Sequence, residues 1–252
     1  MIVYKSKTEV EVLDRCNGIV LEILGELAEM VRPGISTGEL DAHAEKATLR
    51  RGAKPAFKGY RGFPASLCAS INEEVVHGIP SLKRVVKEGD LLSLDFGVIL
   101  DGYYGDAAVT VPVGKVSEEA SRLMNVTRES LRRGIEQMRT EGRLSDISHA
   151  IQTYVESQGL SVVRDFVGHG IGSQLHEDPQ VPNYGDPGHG PVLREGLILA
   201  IEPMVTTGKP DVVIEEDQWT ARSADRSLSA HFERSVVVGE NGGRILGGNQ
   251  LL

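Results

Sequence analysis

Four acidic residues, Asp95, Asp106, Glu202 and Glu233, stand within or at the end of apolar runs that read as β-strands. A carboxylate on the buried face of a strand is costly unless something pairs with its charge. A chain carrying four of them must gather them around a cation or leave them at strand edges. One imidazole, His169, completes a set of five metal-competent residues. Two divalent cations would balance the four negative charges, and no other grouping in the sequence has that balance. The set reads as a two-metal hydrolase site, with the rest of the chain forming a pocket around it.

The local patterns place each member. Asp101-Gly102 is a hairpin signal between the apolar runs 91–100 and 103–113. A two-residue turn there sets Asp95 opposite Ala108 and makes Asp106 a diagonal neighbour on the same face, about 7–8 Å away. Two such carboxylates can converge on metals about 3.5–4 Å apart. Glu202 ends the strand pattern 197–201, before Pro203, which cannot donate to a ladder. Glu233 enters the β-branched strand pattern 231–238. Taken alone, either glutamate reads first as a salt-bridged structural carboxylate. His169 lies in Val-Gly-His-Gly-Ile-Gly, whose alternating glycines forbid a stable helix and let the backbone approach closely. That string lacks a phosphate-binding lysine, which sets a nucleotide loop aside. His176 follows seven residues later. Strict alternation would send it to the opposite face, and the glycines let it fold back. His231, two residues from Glu233, shares its strand face by alternation and is the residue most easily mistaken for a ligand. His43 and His149 fall on helical stretches, and His189 belongs to a Gly/Pro loop. A carboxylate-rich site with one imidazole suits manganese, iron(II), cobalt or zinc.

The acidic strands come in two matching halves. Glu88-Gly89 and Glu195-Gly196 each precede an apolar strand that reaches Asp95 or Glu202, seven positions after the glutamate. Each is followed by a second acidic strand, opening at Asp106 or Glu233. Helical periodicity covers 7–32, which Arg32-Pro33-Gly34 ends, and 40–49, for which Ser36 and Thr37 offer caps with Glu39 behind. Two more helical patterns cover 118–139 and 144–158, the latter capped by Gly159. These patterns predict an α/β (α+β) fold of two pseudo-symmetric halves with the site on the pseudo-two-fold axis. Segment 179–191, with four prolines and three glycines, predicts an irregular loop. No linker interrupts the chain, so residues 1–252 are expected to form a single catalytic domain.

Composition excludes several classes. The net charge of −9 argues against a nucleic-acid partner, because phosphate contacts need clustered Lys and Arg. The longest apolar runs are far too short to span a bilayer, and the first residues lack a secretory pattern. Two cysteines, Cys16 and Cys68, are too few for a disulfide scaffold or a structural zinc site, and both are expected as free thiols in a cytoplasmic protein.

Several segments together resemble type I methionine aminopeptidase. They are Ser70-Ile-Asn-Glu-Glu-Val-Val-His77-Gly-Ile-Pro, Leu94-Asp95-Phe-Gly, Asp106, Gly168-His169-Gly-Ile-Gly, Ile201-Glu202-Pro-Met and Ser229-Ala-His-Phe-Glu233. They follow the family's order over nearly the whole chain. The resemblance implies a pita-bread fold, with a central antiparallel sheet flanked by helices. It implies removal of the initiator methionine from nascent proteins, with a small second residue preferred. By motif, Asp95, Asp106, His169, Glu202 and Glu233 become the metal ligands of a dinuclear centre, and His77 and His176 the substrate-contacting histidines. Glu202, beside the attacking water, is the proton shuttle. Tyr60, Phe63, Cys68, Leu175 and Trp219 match the methionine pocket, and Asn72 and Ser229 a monovalent-cation site. Phe57 stands where bacterial relatives often carry something smaller. The alternative is an X-Pro dipeptidase or another aminopeptidase on the same fold. A metal-free binding module is disfavoured by the intact set of five. The expected partners are nascent polypeptide N-termini, with ribosome docking left open, no membrane, and a monomeric state.

Overall fold

Asp101 and Gly102 take left-handed backbone angles, φ 51° and 83°, the pair that a two-residue type I′ hairpin requires. In this computed structural model, which describes residues 1–248, that turn sits amid the first half of the chain. The half comprises α1 (Lys7–Met30), α2 (Thr37–Arg50), β1 (Lys54–Pro55), β2 (Leu67–Ile71), β3 (Glu74–Val76), β4 (Leu91–Leu100) and β5 (Tyr103–Pro112). The second half opens with α3 (Glu118–Glu136), α4 (Leu144–Ser157), β6 (Ser161–Val162), β7 (Gly168–Gly170) and β8 (Glu177–Val181). It continues through β9 (Ile198–Ile201), β10 (Met204–Thr206), β11 (Val212–Ile214), β12 (Ala221–Ser223), β13 (Ser229–His231), β14 (Glu233–Gly239) and β15 (Gly242–Ile245).

The central sheet runs β1-β4-β5-β14-β9-β7-β8, with β2 also on β4 and β15 on β14. Its ladders are antiparallel. The four middle strands repeat the sequence halves as mirror positions. The first acidic strand of each half, β4 or β9, lies outside the second, β5 or β14. The predicted pseudo-two-fold therefore passes between β5 and β14. Separate small sheets are formed by β13-β10-β6 and β11-β12-β3.

Alternation divides the central sheet into two faces. Leu94, Phe96, Val98, Ala107, Val109, Leu199, Ile201 and Val236 are buried in the main core beneath the helices. Helix α1 contributes Val20, Leu24 and Leu27 to that core, all without exposure. Burying a side chain of this size is worth about 1.5–3 kcal/mol. The approach of α1 is close enough that a side chain on Gly105 would meet the Cys16 backbone at 2.9 Å. Helices α1 and α2 open with reciprocal capping boxes, Ser6 with Glu9 and Ser36 with Glu39.

Helix α2 starts at Thr37 directly after the Ser36 cap that the sequence offers. The structure departs from the sequence expectations at two places. The strand predicted over 231–238 breaks at Phe232, where the chain leaves the small sheet for the central one. The predicted loop 179–191 begins inside β8, which includes Pro179. Strand β8 is the outer strand of the sheet, where a missing N–H costs no ladder bond.

Both cysteines are free and buried. Cys16 Sγ donates to the carbonyls of Val98 and Tyr103 at 3.4 Å, and burial pushes its thiol up to about 12. Cys68 lies opposite Asp95 in the β2–β4 ladder, and burial pushes its thiol well above the usual range. Thiol titration of unfolded, never-reduced protein should find both thiols, and the folded protein should react slowly near neutral pH. A stable cross-link between them would overturn this expectation.

Candidate metal centre

The face of the central sheet away from the main core carries the acidic residues. In register, Ala108 lies between Asp95 on β4 and Glu233 on β14. Asp106 faces the same side two residues before Ala108, opposite Gly97. His169 on β7 pairs with Ala200 on β9, and Glu202 follows two residues after Ala200. Small residues (Ala108, Ala200, Gly97) thus separate the metal-competent ones. The sheet floor stays open where larger side chains would fill it.

The glycines beside His169 have a steric reason. A side chain at 168 would collide with the Ala200 carbonyl, and one at 170 with that of Asp178. They let β7 lie close between its neighbours, so that His169 reaches the floor. Its Nδ1 lies 2.9 Å from the Gly170 carbonyl, which only accepts, so Nδ1 carries the proton. Nε2 is left with a lone pair, 3.6 Å from Glu202 Oε1 and 3.9 Å from Asp106 Oδ2. A backbone partner on one ring nitrogen is how metal-binding imidazoles are oriented.

Ligand atoms of Asp106, His169 and Glu233 lie within 4.8 Å of one another. Asp95 Oδ1, Asp106 Oδ1 and Glu233 Oε1 are buried with no hydrogen-bond partner among the described residues. Burial raises the Asp95 carboxyl to about 6. Burial first, and then repulsion from the neighbouring carboxylates, pushes Asp106, Glu202 and Glu233 well above the usual range. Burial also depresses His169 to about 3, so its imidazole is neutral. Orphaned carboxylate oxygens, mutual repulsion and a neutral imidazole are what a divalent cation relieves. The donor set therefore fits a hard or borderline divalent ion.

A cavity of about 300 Å³ opens over this floor. Its walls include Tyr60, Phe63, Cys68, His77, Leu175, His176 and Trp219, so the sequence-derived pocket residues come together. Phe63 and Trp219 meet edge to face at 5.2 Å. His176 folds back as the glycines allow, with its ring 4.3 Å from that of His169. Residues 172–176 bend instead of running as a strand, so no strict alternation carries from His169 to His176. Tyr60 Oη lies 2.8 Å from His176 Nδ1. Burial, with a smaller contribution from the Arg61 charge, holds His176 below the usual histidine range. Burial likewise lowers His77 to about 4.

Sequence reasoning missed Arg61 and Phe166, which also line the cavity, as does Phe57. Arg61 lies over the Tyr60 ring at 5.4 Å, and Phe166 packs on His77 at 5.3 Å. Their neighbours Tyr60 and Val167-Gly-His were the only local signals. His231 is buried with both ring nitrogens unbonded among the described residues, its Nε2 3.6 Å from Glu202 Oε2. Asn72 and Ser229 are adjacent, since the Ser229 N–H donates to the Asn72 carbonyl at 2.9 Å. Asn72 spends its side chain on Asp90 and on the Leu91 N–H, whereas Ser229 Oγ is buried without a partner among the described residues. The other histidines lie apart: His43 pairs with Glu26 at 2.6 Å, His149 faces the Gly185 carbonyl, and His189 is exposed.

The sequence profile of metallopeptidase family M24 matches residues 11–240. A methionine aminopeptidase of Clostridium acetobutylicum is 53% identical over 98% of this chain and 98% of its own length. The crystal structure of methionine aminopeptidase from Thermotoga maritima superposes with a TM-score of 0.97 at 46% identity, covering 99% of this chain and 100% of that one. Prolidase from Pyrococcus furiosus, 22% identical with a TM-score of 0.81 over 98% of this chain and 66% of that one, shares the fold. These neighbours give the architecture its name, the pita-bread fold, and the chain belongs to metallopeptidase family M24.

Proposed function

We propose that the protein is a metal-dependent aminopeptidase that removes the initiator methionine from nascent polypeptides, preferring a small second residue. The observation that carries this is the floor of four carboxylates and one imidazole beneath a cavity walled by Phe63, Cys68, Leu175 and Trp219. Asp95, Asp106, His169, Glu202 and Glu233 would hold two divalent ions, drawn from cobalt, manganese, iron(II) and zinc. Bound there, the ions would lower the pKa of water and polarise the scissile carbonyl.

The chain's own groups do the rest. Glu202 accepts a proton from the attacking water and returns it to the leaving amine. With the Tyr60 hydroxyl donating to Nδ1, His176 keeps its proton on Nε2 and donates it to the carbonyl oxygen as negative charge develops there. His77, neutral because it is buried, hydrogen-bonds the substrate from the cavity wall. The aromatic pair, Leu175 and the Cys68 thiol give a methionine side chain an apolar slot with some tolerance of shape.

Residues 1–252 act as one catalytic domain, which the span of the family match and a sheet fed from residues 54 to 245 both support. Asn72, through its backbone, and Ser229 are the candidates for a monovalent cation. No described helix is long and apolar enough to cross a membrane. A nascent-chain substrate supports a cytoplasmic enzyme that can dock at the ribosome, and we take it to act as a monomer without nucleic-acid contacts of its own.

Met-Ala-Ser should be cleaved well, and Leu-Ala-Ser and Met-Leu-Ser poorly, by about 10–200-fold if each pocket discriminates as apolar pockets do. Xaa-Pro dipeptides should not be cleaved, which separates this reading from a dipeptidase on the same fold. Equal turnover of the three tripeptides would show the substrate class to be wrong.

A further inference from the structure

Arg84 takes no part in the steps above, yet its guanidinium ties together the segments that build the cavity walls. Its Nη1 donates to the Ile79 carbonyl at 2.6 Å and to the Ala69 carbonyl at 3.3 Å, and its Nη2 pairs with Glu74. Glu74 in turn accepts the Ile71 N–H at 2.8 Å. The two side chains are only 26% and 22% exposed, so the pair is shielded from water. These bonds join β2, β3 and the segment that follows β3, and that segment presents His77.

His77 is held in a demanding conformation. Its φ of 63° is left-handed, which a residue with a side chain keeps only where its surroundings impose it. Next to it, the Gly78 N–H donates to Ser70 Oγ at 3.1 Å and the Gly78 carbonyl accepts the Ala69 N–H at 2.8 Å. A side chain at 78 would collide with Ala69. The Arg84 bond to Ile79 closes the segment one residue further on. The strained residue is thus pinned on its C-terminal side by β2 and by one fork of donors. A guanidinium suits this because its planar donors reach several acceptors at once in fixed directions, which an ammonium does not reproduce.

The same cation bears on the neighbouring segment that carries Trp219. Strand β3 pairs with β12, and the turn before β12 carries Trp219. Asp217 accepts the N–H groups of Trp219 at 2.9 Å and Thr220 at 2.8 Å. Burial favours its neutral form, but the bonds from Thr220 and Trp219 and the Arg84 charge outweigh it and hold the carboxyl below the usual range.

We propose that Arg84 is a positioning residue, which acts through His77 to set the substrate against the metal site. The proposal rests on the substrate contact given to His77 above. The test is a double-mutant cycle in metal-loaded enzyme on Met-Ala-Ser, using Arg84→Ala, His77→Ala and the pair. Arg84→Ala should lower kcat/KM by about 10–100-fold, the scale of an ångström of misplacement, with bound metal unchanged. Arg84→Lys should recover only part of the loss. In the His77→Ala background, Arg84→Ala should cost no more than about twofold, because the group it positions is already gone. Arg84→Lys carries the same cycle if the alanine variant does not accumulate. Losses that multiply in the double variant overturn the proposal, as does loss of metal on substituting Arg84. A fully active His77→Ala enzyme overturns the role of His77 itself, and the proposal with it.

Discussion

Chelator-treated protein is expected to be inactive and to regain turnover with divalent metal, and Asp106→Asn is expected to lose most of its metal affinity. Asp106 has the most crowded electrostatic position of the set. Glu233, Asp95 and Glu202 all push its carboxyl up, on top of burial. Only 4% of the residue is exposed, so water screens little of that repulsion. A cation that draws the four together stabilises Asp106 more than any group in the protein can. Asparagine keeps the shape and one acceptor oxygen but removes the charge the cation answers. The metal-free fold should therefore tolerate or even favour Asp106→Asn while the loaded enzyme is disabled. Elemental analysis and turnover on Met-Ala-Ser measure both arms. Full activity in protein shown to be metal-free would sink the metallopeptidase reading.

The same cluster sets a pH dependence whose sign follows from the shifts. In the metal-free protein Asp95 titrates at about 6, and Asp106, Glu202 and Glu233 also lie above their ordinary values. An unfolded chain releases these protons near pH 4 (about). As pH rises, the unfolded state therefore gives up protons that the folded state still holds. The cluster's contribution to stability is full below about pH 4 and is lost as pH rises through the folded values. Metal-free wild-type protein should lose unfolding temperature, relative to metal-free Asp106→Asn, as pH rises from about 4. Added metal should remove this loss in wild type, because it binds the ionised carboxylates, and should leave Asp106→Asn nearly unchanged.

How much of this was legible in the chain depends on the range of the interaction involved. The Asp101-Gly102 turn specifies its own register, so Asp95 opposite Ala108 and Asp106 on the same face followed from sequence alone. The Ser36-Glu39 cap is equally local. Strand β2 has no alternation to read, because Leu67, Cys68, Ala69 and Ser70 are all buried, and a run buried on both sides loses the period of two. The break at Phe232 answers to two sheets that compete for one chain, which no local window contains. Arg61 and Phe166 belong to the cavity because segments about a hundred residues apart converge there. The roles of Arg84 depend on carbonyls at Ala69 and Ile79, and backbone acceptors leave no mark in the residue types of a sequence.

His169 and His176 are expected to separate metal binding from catalysis. Their rings lie 4.3 Å apart, so proximity to the carboxylates does not distinguish them. Their partners do. His169 spends its Nδ1 proton on the Gly170 carbonyl and turns a bare Nε2 toward Glu202 and Asp106. His176 engages Tyr60 through Nδ1 and is the less buried of the two, at the wall of the cavity rather than on its floor. The first arrangement suits a metal ligand, and the second suits a donor to an oxygen that becomes negative. Removing one such donor typically costs about 2.7–4 kcal/mol, or roughly 10²–10³ in turnover. His176→Ala should therefore bind metal nearly normally and lose turnover on that scale, whereas His169→Ala should lose metal. Tyr60→Phe should fall between wild type and His176→Ala, because it frees the imidazole to carry its proton on either nitrogen. Metal stoichiometry and rate, measured on all three variants, decide the matter. Metal lost from His176→Ala and retained by His169→Ala would reverse the two assignments.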